Sequence, residues 1–281
     1  MQKLLRDELV KFSHGWRDDL CHEWRAALAD VEPSAASVSS TLSFSPRELI
    51  FPARRAEPLV TAREDAHVFR ALDGLTPPKV RCVLLGQDPY PLAARATGRS
   101  FEQGESSDWA SLKCSASLAG LVRHLAEHRT NNPSFRGAGG LRRAVASAEV
   151  KLEEPRQLFD RWQHAGVLCL NTGLTLTRYR KGGAPEQING HIPFWTPVVQ
   201  GILHHLARRE ESKLVVLLMG KAARLAADAS EFRKTAEANG RWLKCVAGVR
   251  VNHPSYTSPG PNPFTEVNKA LAKMDAPPIN W

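Results

Sequence analysis

Two kinds of apolar pattern divide this chain of 281 residues into elements. Short uninterrupted apolar runs rich in β-prone residues predict buried strands. These runs occupy residues 80–85, 166–170, 214–219 and 245–251. Between the runs, apolar residues recur at helical spacing, which predicts helices. The helical segments are 117–127, 155–165, 196–209, 221–227 and 264–273.

Strands that alternate with helices along a chain predict a parallel sheet with helices on both faces. The expected architecture is therefore a three-layer α/β/α domain with a central four-stranded, mostly parallel sheet. Residues 4–30 also have helical spacing, and residues 33–45 are rich in Ser, Ala and Pro. We expect residues 1–48 to form an N-terminal helix and linker, packed on or peripheral to the main domain of residues 49–281.

Charge and composition change this picture by pointing to a partner. Lys and Arg outnumber Asp and Glu by 38 to 29, which leaves a net charge of +9. Such an excess favours a polyanion such as nucleic acid, although a basic surface can also serve solubility alone. No apolar stretch has membrane-spanning length, and the N-terminus lacks the apolar core of a signal peptide. We expect an intracellular protein, cytoplasmic or nuclear, without a membrane partner.

The spacing of the cysteines does not suit a metal or iron–sulfur site. The 5 cysteines show no C-x-x-C pair and no Cys/His cluster at the spacing of a zinc or iron–sulfur site. Their odd number is typical of a reducing compartment. The sequence therefore predicts no metal and no cluster.

Polar side chains follow each predicted strand directly. In open α/β sheets the ligand binds beyond the carboxyl ends of the strands, so these residues are the first candidates for a site. They bring a carboxylate, amides, a histidine, a tyrosine and hydroxyls toward one edge of the sheet. The segments are 86–90, Asn171 with Thr172, Gly220 with Lys221, and 252–255.

Several of these segments resemble motifs of family 1 uracil-DNA glycosylases. The two strongest are Leu84-Leu85-Gly86-Gln87-Asp88-Pro89-Tyr90 and His253-Pro254-Ser255. Weaker likenesses are Leu170-Asn171-Thr172 with Leu174-Thr175, Ser111-Leu112-Lys113 and Pro278-Ile279-Asn280-Trp281. Order and spacing match across about residues 50 to 281, and a set in order is far more specific than any single motif.

The resemblance implies hydrolysis of the bond between uracil and deoxyribose in DNA, without a cofactor. Breaking that bond leaves a cation-like sugar and a uracil anion. The site therefore needs a carboxylate to stabilise the sugar and a hydrogen-bond donor to stabilise the uracil anion. Asp88 resembles the carboxylate that positions water and faces the sugar. His253 resembles the histidine that donates to the uracil oxygen. Read without the resemblance, Asp88 is a helix N-cap and His253 a loop residue.

The resemblance also assigns residues that bind the base. Asn171 has the donor and acceptor that the O4 and N3–H edge of uracil requires. Phe101 resembles the ring that stacks beneath the base, and Tyr90 the ring that excludes the methyl group of thymine. Gln87 belongs to the same substrate-binding motif, and His191 resembles a polar residue near the catalytic water. Ordinary core or strand-end roles remain open for each.

A third set of residues is expected to bind DNA outside the base pocket. Ser111 and Ser255 resemble hydroxyl-bearing loop residues that grip phosphates, or else cap helices. Pro89, in the motif that ends at Tyr90, is expected to contact the DNA as well. Tyr256 and Thr257 stand where the family has the wedge that fills the gap left by the flipped base. The resemblance implies a monomer that acts on single- or double-stranded DNA.

The chain departs from the family pattern at three places. Pro91 replaces a histidine and has neither a side-chain donor nor a backbone N–H. Tyr256 and Thr257 replace Pro and the wedge leucine, so either Tyr256 stacks instead or extrusion depends more on phosphate contacts. Residues 178–193 lack the usual Ser-His and Gly-Trp-Glu pattern. Binding of the family's protein inhibitor is therefore in doubt.

Two other functions fit part of the sequence. A non-catalytic or slow relative that binds uracil or abasic sites would explain Pro91 and Thr257, but it would not need Asp88. A nucleotide-handling α/β hydrolase would need a phosphate loop, and Gly139-Gly140 and Gly182-Gly183 lack the required context. An iron–sulfur glycosylase of the same superfamily is disfavoured by the cysteine spacing.

Overall fold

A parallel sheet forms the centre of the molecule. The computed structural model describes residues 3–105, 108–109, 113–137, 139–178, 180, 183–210, 212–256 and 260–281. Its strands are β1 (Lys3–Leu4), β2 (Ser43–Phe44), β3 (Cys82–Gly86), β4 (Val167–Asn171), β5 (Leu214–Met219) and β6 (Val246–Val251). The last four pair in the order β4-β3-β5-β6, with every pair parallel. The four predicted strands are confirmed with small shifts at their ends.

Helices cover both faces of this sheet. The described part of the chain contains α1 (Leu5–Ser13), α2 (His22–Ala27), α3 (Ala116–Thr130), α4 (Gly140–Ala146), α5 (Pro155–His164), α6 (Ile192–Arg208), α7 (Gly220–Ala229), α8 (Phe232–Ala238) and α9 (Pro263–Ala272). Helix α3 begins where Ser115 accepts a hydrogen bond from the Leu118 N–H, and Asn262 caps α9 in the same way. The sequence pattern missed α4 and α8, which are too short for a clear apolar period. None of the described helices is long and apolar enough to cross a membrane.

Alternate residues of β3 point into two different cores, as expected for a sheet buried on both faces. Val83 and Leu85 pack into the core that also contains α6. Cys82 and Leu84 pack into the core that contains α3, α5 and α9. The expected three-layer α/β/α architecture is thereby confirmed.

The N-terminal residues are part of the first core. Leu5, Leu9 and Trp24 are fully buried there together with side chains of α6. The pattern of residues 4–30 forms α1, a 3₁₀ turn at Trp16–Asp19 and α2, because Gly15 with φ of 59° breaks the helical path. The loop predicted at 33–45 contains β2, which pairs antiparallel with β1. The domain boundary at residue 48 stays a prediction.

Candidate active site

A cavity of about 560 Å³ opens at the carboxyl ends of β3 and β4. Seven of the residues predicted from the sequence line it together. They are Gln87, Asp88, Pro89, Tyr90, Phe101, Asn171 and His253. The strand ends and the loops that follow them therefore converge, as the parallel topology requires.

The loop that carries Asp88 is fastened to the end of the neighbouring strand. The Thr172 N–H donates to the Gly86 carbonyl at 3.1 Å, and the Gly173 N–H donates to the Gln87 carbonyl at 2.8 Å. The Thr172 hydroxyl donates to the same Gln87 carbonyl at 3.0 Å. These bonds extend the β3–β4 ladder past Asn171 and hold Asp88 at the cavity wall.

Both oxygens of the Asp88 carboxylate accept a hydrogen bond from a side-chain amide. Gln87 Nε2 donates to Oδ2 at 3.0 Å, and Gln187 Nε2 donates to Oδ1 at 2.5 Å. Burial nevertheless raises the pKa of Asp88 to about 6, because the two amide donors offset the loss of hydration only in part. The carboxyl group is therefore mainly ionised at neutral pH and titrates just below it.

His253 is held in one tautomer. The Ser255 backbone N–H donates to Nδ1 at 3.2 Å, and the Ser255 hydroxyl lies 2.7 Å from the same nitrogen. Because Nδ1 accepts, the proton of the neutral ring lies on Nε2. Burial lowers the pKa of His253 and favours this neutral form. Gly220, with φ of +87°, lets the ring pack closely, since a Cβ there would lie 2.8 Å from the His253 Cβ.

Asn171 lies opposite Gly86 in the β3–β4 register. It is only 4% exposed and lines the cavity. Within the described part of the chain, its side-chain amide makes no hydrogen bond. A buried amide without a protein partner at a cavity wall is suited to read the edge of a ligand.

Tyr90 and Phe101 are joined directly. The Tyr90 hydroxyl donates to the Phe101 carbonyl at 3.0 Å and lies 2.8 Å from Ser115 Oγ. Burial raises the pKa of Tyr90, so the ring stays neutral. The Phe101 ring is tilted 38° from the His253 ring at a centroid distance of 6.5 Å. One wall of the cavity is thus aromatic.

The backbone at Phe101 is in the left-handed region, with φ of 66°. A phenylalanine holds this conformation only where its neighbours constrain it. On one side, Ser100 donates from its N–H to the Cys169 carbonyl and from its hydroxyl to the Leu84 carbonyl, both at 3.0 Å. On the other side, the fully buried Glu102 accepts from Arg63 at 3.2 Å and from Arg99 at 3.4 Å.

His191 does not line the cavity. Its two ring nitrogens each lie 2.7 Å from a threonine hydroxyl, Nδ1 from Thr175 and Nε2 from Thr177. Trp195 Nε1 donates to the Thr175 hydroxyl at 2.7 Å, so the Thr175 proton is directed to His191 Nδ1. Burial lowers the pKa of His191 to about 3 and keeps the ring neutral.

Only some of the predicted DNA-binding residues can be placed near the cavity. Ser255 and Tyr256 line an adjoining cavity of about 390 Å³ together with Lys221. The Tyr256 ring is 65% exposed and stands edge-on to His253 at 6.4 Å. Ser111 and Thr257 lie outside the described residues.

Sequence reasoning missed Gln187. It follows Asp88 by 99 positions and donates to it from a π-helix at Gln187–His191. No motif marks this glutamine, and only the π-turn, a feature found often at functional sites, sets it apart. Among the described residues, no three His, Cys, Asp or Glu side chains are grouped as metal ligands.

Comparison with known proteins gives one consistent family. No family model matches the chain. The uracil-DNA glycosylase of Bordetella petrii is 30% identical over 221 residues, which are 76% of this chain and 71% of that protein. That of Chlamydia abortus is 25% identical over 271 residues, or 95% and 93% of the two chains. The crystal structure of wild-type UNG from Nitratifractor salsuginis superposes with a TM-score of 0.55 at 19% identity, covering 98% of each chain, and shows a shared fold.

Proposed function

This chain belongs to the uracil-DNA glycosylases, enzymes that excise uracil in DNA repair, and we propose that the 560 Å³ cavity is its active site. One observation carries the proposal. A single cavity holds an ionisable carboxylate, Asp88, and an imidazole, His253, whose Nε2–H bonds to no described residue and can donate to a ligand. These are the two groups that a reaction separating a sugar cation from a base anion needs.

In the proposed mechanism, the bond between C1′ of deoxyribose and N1 of uracil breaks and both electrons leave with the base. The ionised Asp88 stabilises the positive charge on the sugar. His253 donates from Nε2 to the uracil oxygen on which negative charge collects. Water then adds to C1′ and gives its proton to Asp88, which leaves an abasic site and a uracil anion. That proton passes through solvent to the anion, so neutral uracil is released and Asp88 is ionised again.

Recognition of the base is assigned to three side chains. The Asn171 amide binds O4 and N3–H of uracil, a pattern that cytosine reverses. Phe101 stacks on the base, and Tyr90 blocks the position that the thymine methyl group would take. Gln87 completes the set by holding Asp88 Oδ2.

Contacts with the strand are assigned to the loops around the cavity. Ser111, Ser255 and Pro89 bind the phosphates next to the flipped nucleotide, and the net charge of +9 favours the approach of DNA. Tyr256, largely exposed beside His253, takes the place of the wedge, with Thr257 next to it. We propose that the protein works as a monomer, as the resemblance to the family implies. We also propose that it binds the family's protein inhibitor less well, because the wedge and residues 178–193 differ from the family pattern.

Release of base from a labelled oligonucleotide with one uracil tests this function. The measurement is made under single-turnover conditions with duplex and single strand, using wild type and Asp88→Asn, and a thymine-containing strand as the control. Release by wild type alone, without attack on thymine, is the expected result. No release by wild type would contradict the proposal.

The non-catalytic alternative has its own support in Pro91, which lines the cavity without a donor. Under that alternative, wild type and Asp88→Asn bind uracil-containing DNA equally and neither releases base. A free nucleoside offered to wild type addresses the nucleotide-hydrolase alternative, since turnover of the nucleoside but not of DNA would favour it.

A further inference from the structure

We propose that Gln187 is the positioning residue for the Asp88 carboxylate, and that the N-terminal segment holds Gln187 in place. The proposal rests on the catalytic role proposed for Asp88 above. It adds a residue that no motif of the sequence marks, and a task for residues 3–48.

The contact between the two side chains is close and enclosed. Gln187 is 2% exposed, and its Nε2 donates to Asp88 Oδ1 at 2.5 Å. Gly173 makes room for the pair, because a Cβ there would lie 2.6 Å from Gln187 Nε2 and 3.0 Å from Asp88 Oδ1. Three chain segments thus meet with no space for a methyl group. The carboxylate has little freedom to rotate away from Gln187.

The other end of the amide shows that this contact is not made for stability. Gln187 Oε1 is buried and has no hydrogen-bond partner among the residues that the structure describes. A buried acceptor without a donor costs free energy that an apolar side chain of the same shape would not cost. For packing alone, methionine would serve at least as well as glutamine. The amide therefore serves the carboxylate that it contacts.

The π-helix fixes where Gln187 points. At its C-terminal end, His191 bonds to Thr175 and Thr177, as described above. At its N-terminal end, Gln187 Nε2 also lies 3.4 Å from the Thr175 carbonyl. Both ends are thus tied to the segment that follows β4. His191 acts at a distance from the cavity, by anchoring the turn that carries Gln187.

The N-terminal segment packs against the outer side of this π-helix. The Ser39 N–H donates to the Asn189 carbonyl at 2.9 Å. Gly190 lies against Leu5 and Leu42, since a Cβ there would meet their side chains at 2.7 and 3.2 Å. Removing bulk at Leu5 would therefore loosen the turn at Gly190, three residues from Gln187.

This arrangement predicts a defined effect on the reaction. A donor to Oδ1 favours the ionised carboxylate and keeps its orientation. Losing that donor raises the pKa of Asp88 and lets the side chain turn, while the DNA-binding loops stay as they are. The rate of base release falls, and the KM for DNA stays unchanged.

The first test is Gln187→Met, which keeps length but not the donor. We expect kcat to fall by about tenfold to hundredfold, KM to hold, the acid limb of the pH–rate profile to move to higher pH, and Tm to stay or rise. Gln200→Met is the matched control, because Gln200 Nε2 donates to the carbonyl of Ala229 at the end of α7, and Gln200 does not line the cavity. It should lose some Tm and keep kcat. A Gln187→Met enzyme with wild-type kcat and pH profile would overturn the proposal.

A second variant covers the case in which the methionine side chain does not pack. Gln187→Glu places a second carboxylate beside Asp88, and two such groups share a proton, which raises the pKa strongly. Its activity should be recovered only at higher pH than that of wild type. An unshifted profile would count against the positioning role.

Leu5→Ala and Leu28→Ala test the N-terminal part of the proposal. Both leucines are fully buried in the same core, but Leu28 packs against Gly201 of α6, whereas Leu5 is nearest to Gly190 of the π-helix. We expect the two variants to lose similar amounts of Tm. At temperatures where both are still folded, only Leu5→Ala should have a lower kcat than wild type. Equal kcat values for the two variants would show that the N-terminal segment only stabilises the fold.

Asp88→Asn separates this inference from the proposed function. If Asp88→Asn still releases uracil at the wild-type rate, the role of Asp88 itself is wrong. If Asp88→Asn abolishes release while Gln187→Met does not, only the positioning role of Gln187 is wrong.

Discussion

Gly86 and Asn171 face each other at the ends of two paired strands, so closely that a Cβ on Gly86 would lie 2.5 Å from Asn171 Oδ1. The same Cβ would lie 2.7 Å from Ser100 Cβ. Asn171, which we propose binds the uracil edge, can therefore occupy its position only because residue 86 is glycine.

Gly86→Ala should displace the Asn171 amide and lower kcat/KM for uracil by about 100-fold, since a shift near 1 Å in a reactive geometry has that effect. Single-turnover release with a uracil oligonucleotide measures it. Gly137→Ala is the control, because the nearest atom to its Cβ is 3.9 Å away and its φ of −72° suits alanine. Undiminished activity of Gly86→Ala would show that Asn171 does not need this space.

The raised pKa of Asp88 predicts the acid side of the pH–rate profile. The carboxyl group of the folded protein is protonated below about pH 6, and only its ionised form stabilises the sugar cation. We expect kcat/KM to rise through about pH 6 and then to level off, since this parameter reports groups of the free enzyme. A profile without a limb in this region would argue that another group controls the reaction.

The same pKa predicts a cost in stability. Because folding raises the pKa of Asp88 above its ordinary value of 3.8, the folded state disfavours the charge, and this cost is complete above pH 6 and absent below about pH 4. Asp88→Asn should therefore raise Tm at pH 8 and leave it nearly unchanged at pH 3.5. Thermal unfolding at the two pH values measures the difference. A lower Tm at pH 8 would contradict this account of the carboxylate.

His253→Ala removes the Nε2–H donor and should lower the rate of base release by about 10² to 10³, the usual effect of losing one such donor. Ser255→Ala leaves the backbone N–H on Nδ1 and should have a smaller effect. Single-turnover rates of the two variants, compared with wild type, test whether His253 carries its proton on Nε2. A larger loss for Ser255→Ala than for His253→Ala would not fit it.

Tyr90→Ala should open the wall of the cavity and allow slow release of thymine from normal DNA. Tyr90→Phe keeps the ring and loses only the contacts of the hydroxyl with Phe101 and Ser115. It should keep the rejection of thymine and lose some stability. The readout is base release from strands containing a single uracil or thymine. Thymine release by Tyr90→Phe, or none by Tyr90→Ala, would assign the discrimination to other groups.

The apolar pattern alone determined the sheet and most of the helices around it. Runs such as Leu214–Met219 are buried on both faces, so their sequence contains no polar position and stands out from the rest. Because parallel strands end at one edge, the sequence predicts that the residues at and after their ends, including Asp88, Asn171 and His253, lie together. The cavity brings the three together as that topology predicts.

The tertiary structure alone decided what stands next to Asp88. Gln187 and His191 are four residues apart in one π-helix, and sequence spacing does not say which of them faces the cavity. Packing decides it, because Leu5 and Leu42 press on Gly190 while two threonines take both nitrogens of His191. Contacts between segments so far apart in the chain arise from the assembled core, and no local pattern of residues encodes them.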